Sequence, residues 1–146
     1  MPALRGKHFT SPDETRTFEK GKVEIIRVGG VTMGLGTFEP GWRWSQHVSP
    51  IAQTKSCQAN HVGYVISGRM QVVMDDGTQA EFGPGGAAHI PPGHDAWIPG
   101  NEPCVFLDVM GMESYATPGK PARTAPKKKR PAAKTKKRTP KRKTRR

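Results

Sequence analysis

From Val23 onward the chain is a succession of short runs rich in β-branched and aromatic residues, most of them closed by glycine or proline. Val23–Val28 (VEIIRV) ends at Gly29-Gly30, a pair suited to a two-residue hairpin. Val31–Phe38 follows and stops at Glu39-Pro40-Gly41. Trp42–Val48 alternates, with Trp42 and Trp44 on one face and Arg43, Ser45 and His47 on the other, which predicts a further strand. Ser49–Asn60 reads as a loop. His61–Ile66 and Met70–Met74, joined by Ser67-Gly68, are the strongest strands. Both faces of the first are largely apolar, which predicts a central strand buried on both sides. Gln79–Phe82, Ala87–Ile90, His94–Ile98 and Cys104–Met110 complete the set, separated by breakers such as Gly83-Pro84-Gly85-Gly86 and Pro91-Pro92-Gly93.

No segment carries a good helical period. Many short strands with Gly/Pro turns predict an all-β sandwich or barrel. Residues 1–20 form an irregular arm that can hold one strand, residues 21–116 the barrel, and residues 117–146 a segment of Pro, Ala, Thr, Lys and Arg almost throughout. That last segment has too little apolar surface to offset its ordering entropy and is expected to be disordered. No apolar run is long enough to span a membrane, and the polar N-terminal stretch lacks a signal-peptide core. A cytoplasmic protein with Cys57 and Cys104 as reduced thiols is the resulting expectation.

Charge divides the chain in the same place. Of its 24 Lys and Arg residues, 15 lie in residues 117–146, which contain no acid. Residues 1–116 hold the remaining 9 basic residues against all 12 acidic ones, so a mildly acidic body carries a strongly cationic tail. The densest clusters are Lys127, Lys128, Lys129 and Arg130; Lys136, Lys137 and Arg138; and Lys141, Arg142, Lys143, Arg145 and Arg146. Such a tail gains affinity for nucleic acid by releasing condensed counterions, without reading sequence. It has no aromatic residue for stacking on bases. Its composition is similar to the tails of linker-histone-like proteins, which implies a nucleoid association. A solubilising tail, a nuclear-localisation-like signal in a eukaryotic source and adhesion to an anionic membrane are the alternatives.

The stretches Pro40-Gly41…His47 and His61-Val62-Gly63-Tyr64-Val65-Ile66-Ser67-Gly68 resemble the first motif of the cupin superfamily. That motif runs G, a short gap, H-x-H, a few residues, E, six residues, G. Gly83-Pro84-Gly85-Gly86-Ala87-Ala88-His89-Ile90-Pro91-Pro92-Gly93-His94 resembles the second, with its P-x-G and following histidine. The likeness runs from about Val23 to Met110. It implies a small antiparallel double-stranded β-helix, or jelly roll, often dimeric. It also implies one divalent metal, of iron, manganese, nickel, zinc or copper, near the barrel axis. The pattern departs from the family in its ligands. His61 stands where the glutamate is usual, Cys57 at the second histidine, Lys55 at the first, and His94 directly after Gly93.

The candidate metal ligands are therefore His47, Cys57, His61 and His94, donors that suit zinc, iron, copper or nickel. Each has a plainer reading. His61 fits a hydrogen-bonded core histidine, His94 a turn residue on the rim, His47 the polar face of its strand, and Cys57 a free thiol. Asp95 fits either a ligand or a partner of one, and Cys104 fits core packing. Trp42, Trp44, Tyr64 and Trp97 are core residues or the lining of a small-ligand pocket. Three functions remain open: a metal- or ligand-binding barrel with a nucleic-acid-binding tail; a metal-dependent enzyme of dioxygenase or isomerase type; and a metal-free barrel that dimerises the tails.

Overall fold

The computed structural model describes residues 3–118. The expected tail lies outside the described residues from position 119 on. Nine strands form two antiparallel sheets. They are β1 (Glu14–Phe18), β2 (Gly21–Val28), β3 (Val31–Phe38), β4 (His61–Ser67), β5 (Met70–Met74), β6 (Gln79–Phe82), β7 (Ala87–Ile90), β8 (His94–Trp97) and β9 (Cys104–Asp108). The larger sheet has the order β1-β2-β3-β9-β4-β7, and the smaller β6-β5-β8. The architecture is the all-β jelly roll that the resemblance implies, within the sandwich-or-barrel class that the strand pattern predicts. The sheet takes in Glu14–Phe18, which pairs along β2 from Glu14↔Ile25 to Phe18↔Gly21.

Period-2 patterning builds the core. Val23 and Ile25 of β2 are fully buried, as is Val65 of β4, and they pack with Phe38, Trp42, Trp44, Val72, Ile90 and Phe106. Full burial of such a side chain contributes about 1.5–3 kcal/mol relative to exposure. Two turns explain their glycines. Gly29 and Gly30 both have positive φ, 61° and 78°, as a two-residue hairpin on right-twisted strands requires. Gly68 has φ 72°, and a Cβ there would overlap the carbonyl oxygen of Pro103.

Two expectations are corrected. Trp42–Val48 is not a strand. Trp44–His47 (α1) and Ser49–Ala52 (α2) are single helical turns; the His47 N–H donates to the Arg43 carbonyl in the first and the Ala52 N–H to the Val48 carbonyl in the second. Asp95 of β8 stabilises α1 by accepting from the Ser45 N–H at 3.0 Å and from Arg43 Nε at 3.0 Å. Pro50 sits in the first turn of α2, where its missing N–H costs nothing. The two tryptophans still point inward, so the alternation registered burial rather than extension. The second correction concerns β4. It lies between β9 and β7, but Tyr64 and Ile66 are 47% and 49% exposed. Only the His61–Val65 face meets the interior, since among the described residues no second layer covers the outside of this antiparallel sheet.

Candidate metal centre

Three ligating side chains converge at one end of the barrel. His61 opens β4 and His94 opens β8. Cys57, in the connection before β4, is clipped to the free edge of the small sheet by an isolated bridge to His94. Its N–H donates to the His94 carbonyl at 2.8 Å, and its own carbonyl accepts from Gly93 at 2.7 Å. One potential ligand atom from each of Cys57, His61 and His94 lies within 4.8 Å of the other two, and all three residues are buried. No other such group occurs among the described residues.

The hydrogen bonds around the two rings decide which nitrogens face inward. The Nδ1 of His94 is 2.6 Å from the Pro91 carbonyl, which can only accept, so Nδ1 carries the proton and Nε2 offers a lone pair. The Nδ1 of His61 bonds Oδ2 of Asp108, the last residue of β9. The other oxygen of Asp108 accepts the N–H groups of Met110 and Gly111 at 2.8 and 2.9 Å. Asp108 is fully buried, and the partners of its two oxygens are a ring nitrogen and two backbone N–H groups. The His61 Nε2 then faces Cys57 Sγ at 3.7 Å.

This geometry sets the charges. Burial opposes a proton on His61, but the hydrogen bonds to Asp108 and then Cys57 outweigh it and raise the ring to about 9. Burial would also raise the Cys57 thiol, but its contacts with His61 and His94 bring it down to about 6. Cys104 has no such partners, and burial pushes it up to about 11, as suits a core thiol. Tyr115 packs edge-on against His61 with ring centroids 5.5 Å apart. Burial, then the charges of Cys57 and Asp108, holds it as a neutral phenol.

A Cys57 thiolate, the Nε2 lone pair of His94 and that of His61 once its proton is displaced, with the remote ring nitrogens engaged by a carboxylate and a carbonyl, are a fitting donor set for a transition metal. His47 stands apart from it. Its Nδ1 accepts the Arg43 N–H at 3.0 Å, and its Nε2 lies 3.9 Å from Glu19. The helical turn that replaced the expected strand carries His47 away. Asp95 is occupied with Arg43, Ser45 and Ala96. His89 is exposed and bonds Asn60. Asp108 and Tyr115 escaped the sequence reading. A lone acid in the apolar run Cys104–Met110 was the available signal for the first.

The lumen beside the site is nearly full. A cavity of about 30 Å³ is lined by His61, His94, Trp42, Trp44 and Tyr115 together with apolar side chains. Trp42 and Trp44 are each 2% exposed, and neither indole Nε1 has a hydrogen-bond partner among the described residues. A buried donor left unpaired costs about 1–3 kcal/mol. Outside the lumen, a groove of about 660 Å³ runs past Cys57 and Tyr115 to Pro118.

Residues 51–110 match the cupin domain family. The polyketide cyclase RemF from Streptomyces resistomycificus shares 21% identity over 76% of this chain and 81% of its own, with a TM-score of 0.55. The 11S allergen from Cocos nucifera shares 18% identity over 72% of this chain, with a TM-score of 0.50, and the match spans 33% of the allergen chain. At these identities the likeness is one of fold. No curated protein sequence matches the chain. The match over residues 51–110 agrees with the jelly-roll fold of a cupin-type barrel, and Cys57, His61 and His94 gather at one end of it. No helix among the described residues is long and apolar enough to cross a membrane.

Proposed function

We propose that this protein is a small metal-binding cupin-type barrel whose cationic C-terminal segment fastens it to nucleic acid. The observation that supports the metal reading most is the convergence of Cys57 Sγ with the His61 and His94 nitrogens, both rings being fixed through Nδ1. The donor set favours zinc, iron(II), copper or nickel over manganese, because thiolate and imidazole are softer than the oxygen ligands manganese prefers. An ion held there would supply Lewis-acid or redox capacity at a site with three protein ligands. The nearly filled lumen favours a binding or regulatory role over an enzyme acting on an organic substrate inside the barrel.

The tail reading rests on the 15 positive charges and the absence of acids in residues 117–146. Pairing of two barrels, which would present two tails to one polyanion, is favoured by the exposed Tyr64 and Ile66 on the open face of the larger sheet.

A second reading draws on the same contact. Without a metal, Cys57, His61 and Asp108 form a thiolate–imidazolium–carboxylate chain, the arrangement of a reactive cysteine. The Cys57 backbone N–H is already engaged with His94, which leaves it unable to serve as an oxyanion donor. Metal content of the purified full-length protein, expressed with each candidate metal, separates the two. One bound ion per chain, lost in His61→Ala, supports the metal reading. A protein that takes up no metal supports the reactive thiol.

A further inference from the structure

We propose that residues 109–118 form a gate over the metal centre and that Arg16 holds it shut, so that an ion enters and leaves when Tyr115 swings out toward the outer groove. The inference rests on the metal reading and assigns the route to that site.

The donors are sealed from solvent. Cys57, His61 and His94 are all buried, so some part of the wall must move before an ion can reach them. Tyr115 and Trp44 line both the lumen cavity and the groove that passes Cys57. Trp44 belongs to α1, which is tied to β8 by the Arg43↔Trp97 bridge and by Asp95. Tyr115 lies on a segment without such ties. Val109 donates to the Val62 carbonyl, but residues 110–118 make no hydrogen bond to the backbone of another element among the described residues. A stretch outside the ladders opens at lower cost than the strands it covers. It nonetheless presses on the site: Tyr115 packs edge-on against His61, and a Cβ added at Gly111 would strike the same ring.

Arg16 of β1 supplies the missing ties. Its guanidinium is forked onto Glu14, with Nε at 2.7 Å and Nη2 at 3.1 Å from the two carboxylate oxygens. The remaining N–H groups reach the carbonyls of Met112 at 2.9 Å, Glu113 at 2.9 Å and Tyr115 at 2.8 Å. Every guanidinium donor is thereby used, and the side chain is only 13% exposed. The other tie, from Arg27 to Glu113, is exposed at both ends and contributes little. A lysine at position 16 has a compact ammonium with three donors and cannot span the same set of acceptors.

The test follows cobalt(II), whose visible spectrum reports its ligands, in the full-length protein by stopped flow: release into excess chelator, and uptake by the metal-free protein. Arg16→Lys and Tyr115→Ala should leave the cobalt spectrum unaltered. Each should speed release about tenfold or more, the factor that one lost hydrogen bond of a charged group can account for. Uptake should quicken by the same factor, because a gate that closes alike over the loaded and the metal-free site leaves the equilibrium affinity unchanged. Either variant suffices where the other fails to fold. Unchanged release in the folded variants would overturn the inference and leave the metal reading intact. So would faster release with unchanged uptake, since Arg16 would then strengthen the bound state instead of gating it. A protein that takes up no cobalt overturns both.

Discussion

The Nδ1–H of His61 is held by the buried carboxylate of Asp108 across the β4–β9 pair, and this contact turns the opposite nitrogen toward Cys57. The sheet itself enforces it. Gly63 pairs with Asp108 in the ladder, which places the two side chains at the same end of the barrel. Asp108→Asn keeps the shape but removes the charge that fixes the ring. Metal affinity should fall by about 10–100-fold, the usual effect of losing such a partner. Competition with a chromophoric chelator measures it. Unaltered affinity in a folded variant would deny Asp108 a positioning role.

Metal affinity should depend on pH through the protons that the ion displaces. With His61 at about 9 and Cys57 at about 6, one proton must leave between those values and two below them. Affinity should therefore rise roughly tenfold per pH unit from 6 to 9, and roughly a hundredfold per unit below 6. Chelator competition across pH 5–9 gives the slope. A pH-independent affinity would show that the pair is not the site.

The metal-free protein carries an opposed pair of linkages. Cys57 is lowered from 9.0 to about 6, so its contribution to stability is complete above pH 9 and is lost as pH falls through about 6. His61 is raised from 6.5 to about 9, so its contribution is complete below pH 6.5 and is lost as pH rises through about 9. The slopes cancel across that window, and stability should vary little there. In Cys57→Ala only the His61 slope remains, still supported by Asp108, and stability should decline as pH rises. Urea unfolding in the presence of chelator distinguishes flat from sloping behaviour.

Removal of residues 119–146 takes away all 15 tail charges. The truncated protein should lose most of its affinity for DNA. The full-length chain should bind unrelated sequences equally and weaken steeply with salt, by roughly 0.9 log unit per log unit of salt for each phosphate neutralised. Gel-shift titrations at several salt concentrations test this. Undiminished binding by the truncated chain would place the interface on the barrel instead.

The strands were legible because their ends are written in residues with few conformational choices. Gly29-Gly30 and Ser67-Gly68 require positive φ at glycine, and the VEIIRV run can only alternate. Trp42–Val48 misled because two inward tryptophans two residues apart satisfy a strand's period, and a single helical turn buried them as well. Asp95, some 50 residues away in sequence, supports the turn by accepting from the Ser45 N–H, and no local pattern reveals such a partner. The same long-range dependence hid Asp108 and Tyr115, whose importance arises only when β9 and the segment after it close over His61. Cys57 was legible only by its register in a motif, since nothing nearby announces that it bridges to His94.

The central claim is that Cys57, His61 and His94 together hold one metal ion. X-ray absorption on the zinc-loaded full-length protein tests it most directly. One sulfur ligand at about 2.3 Å and nitrogen ligands at about 2.0–2.1 Å are expected, with the sulfur lost in Cys57→Ser. Zinc bound by nitrogen and oxygen alone in the unaltered protein, or no stoichiometric zinc, would contradict it.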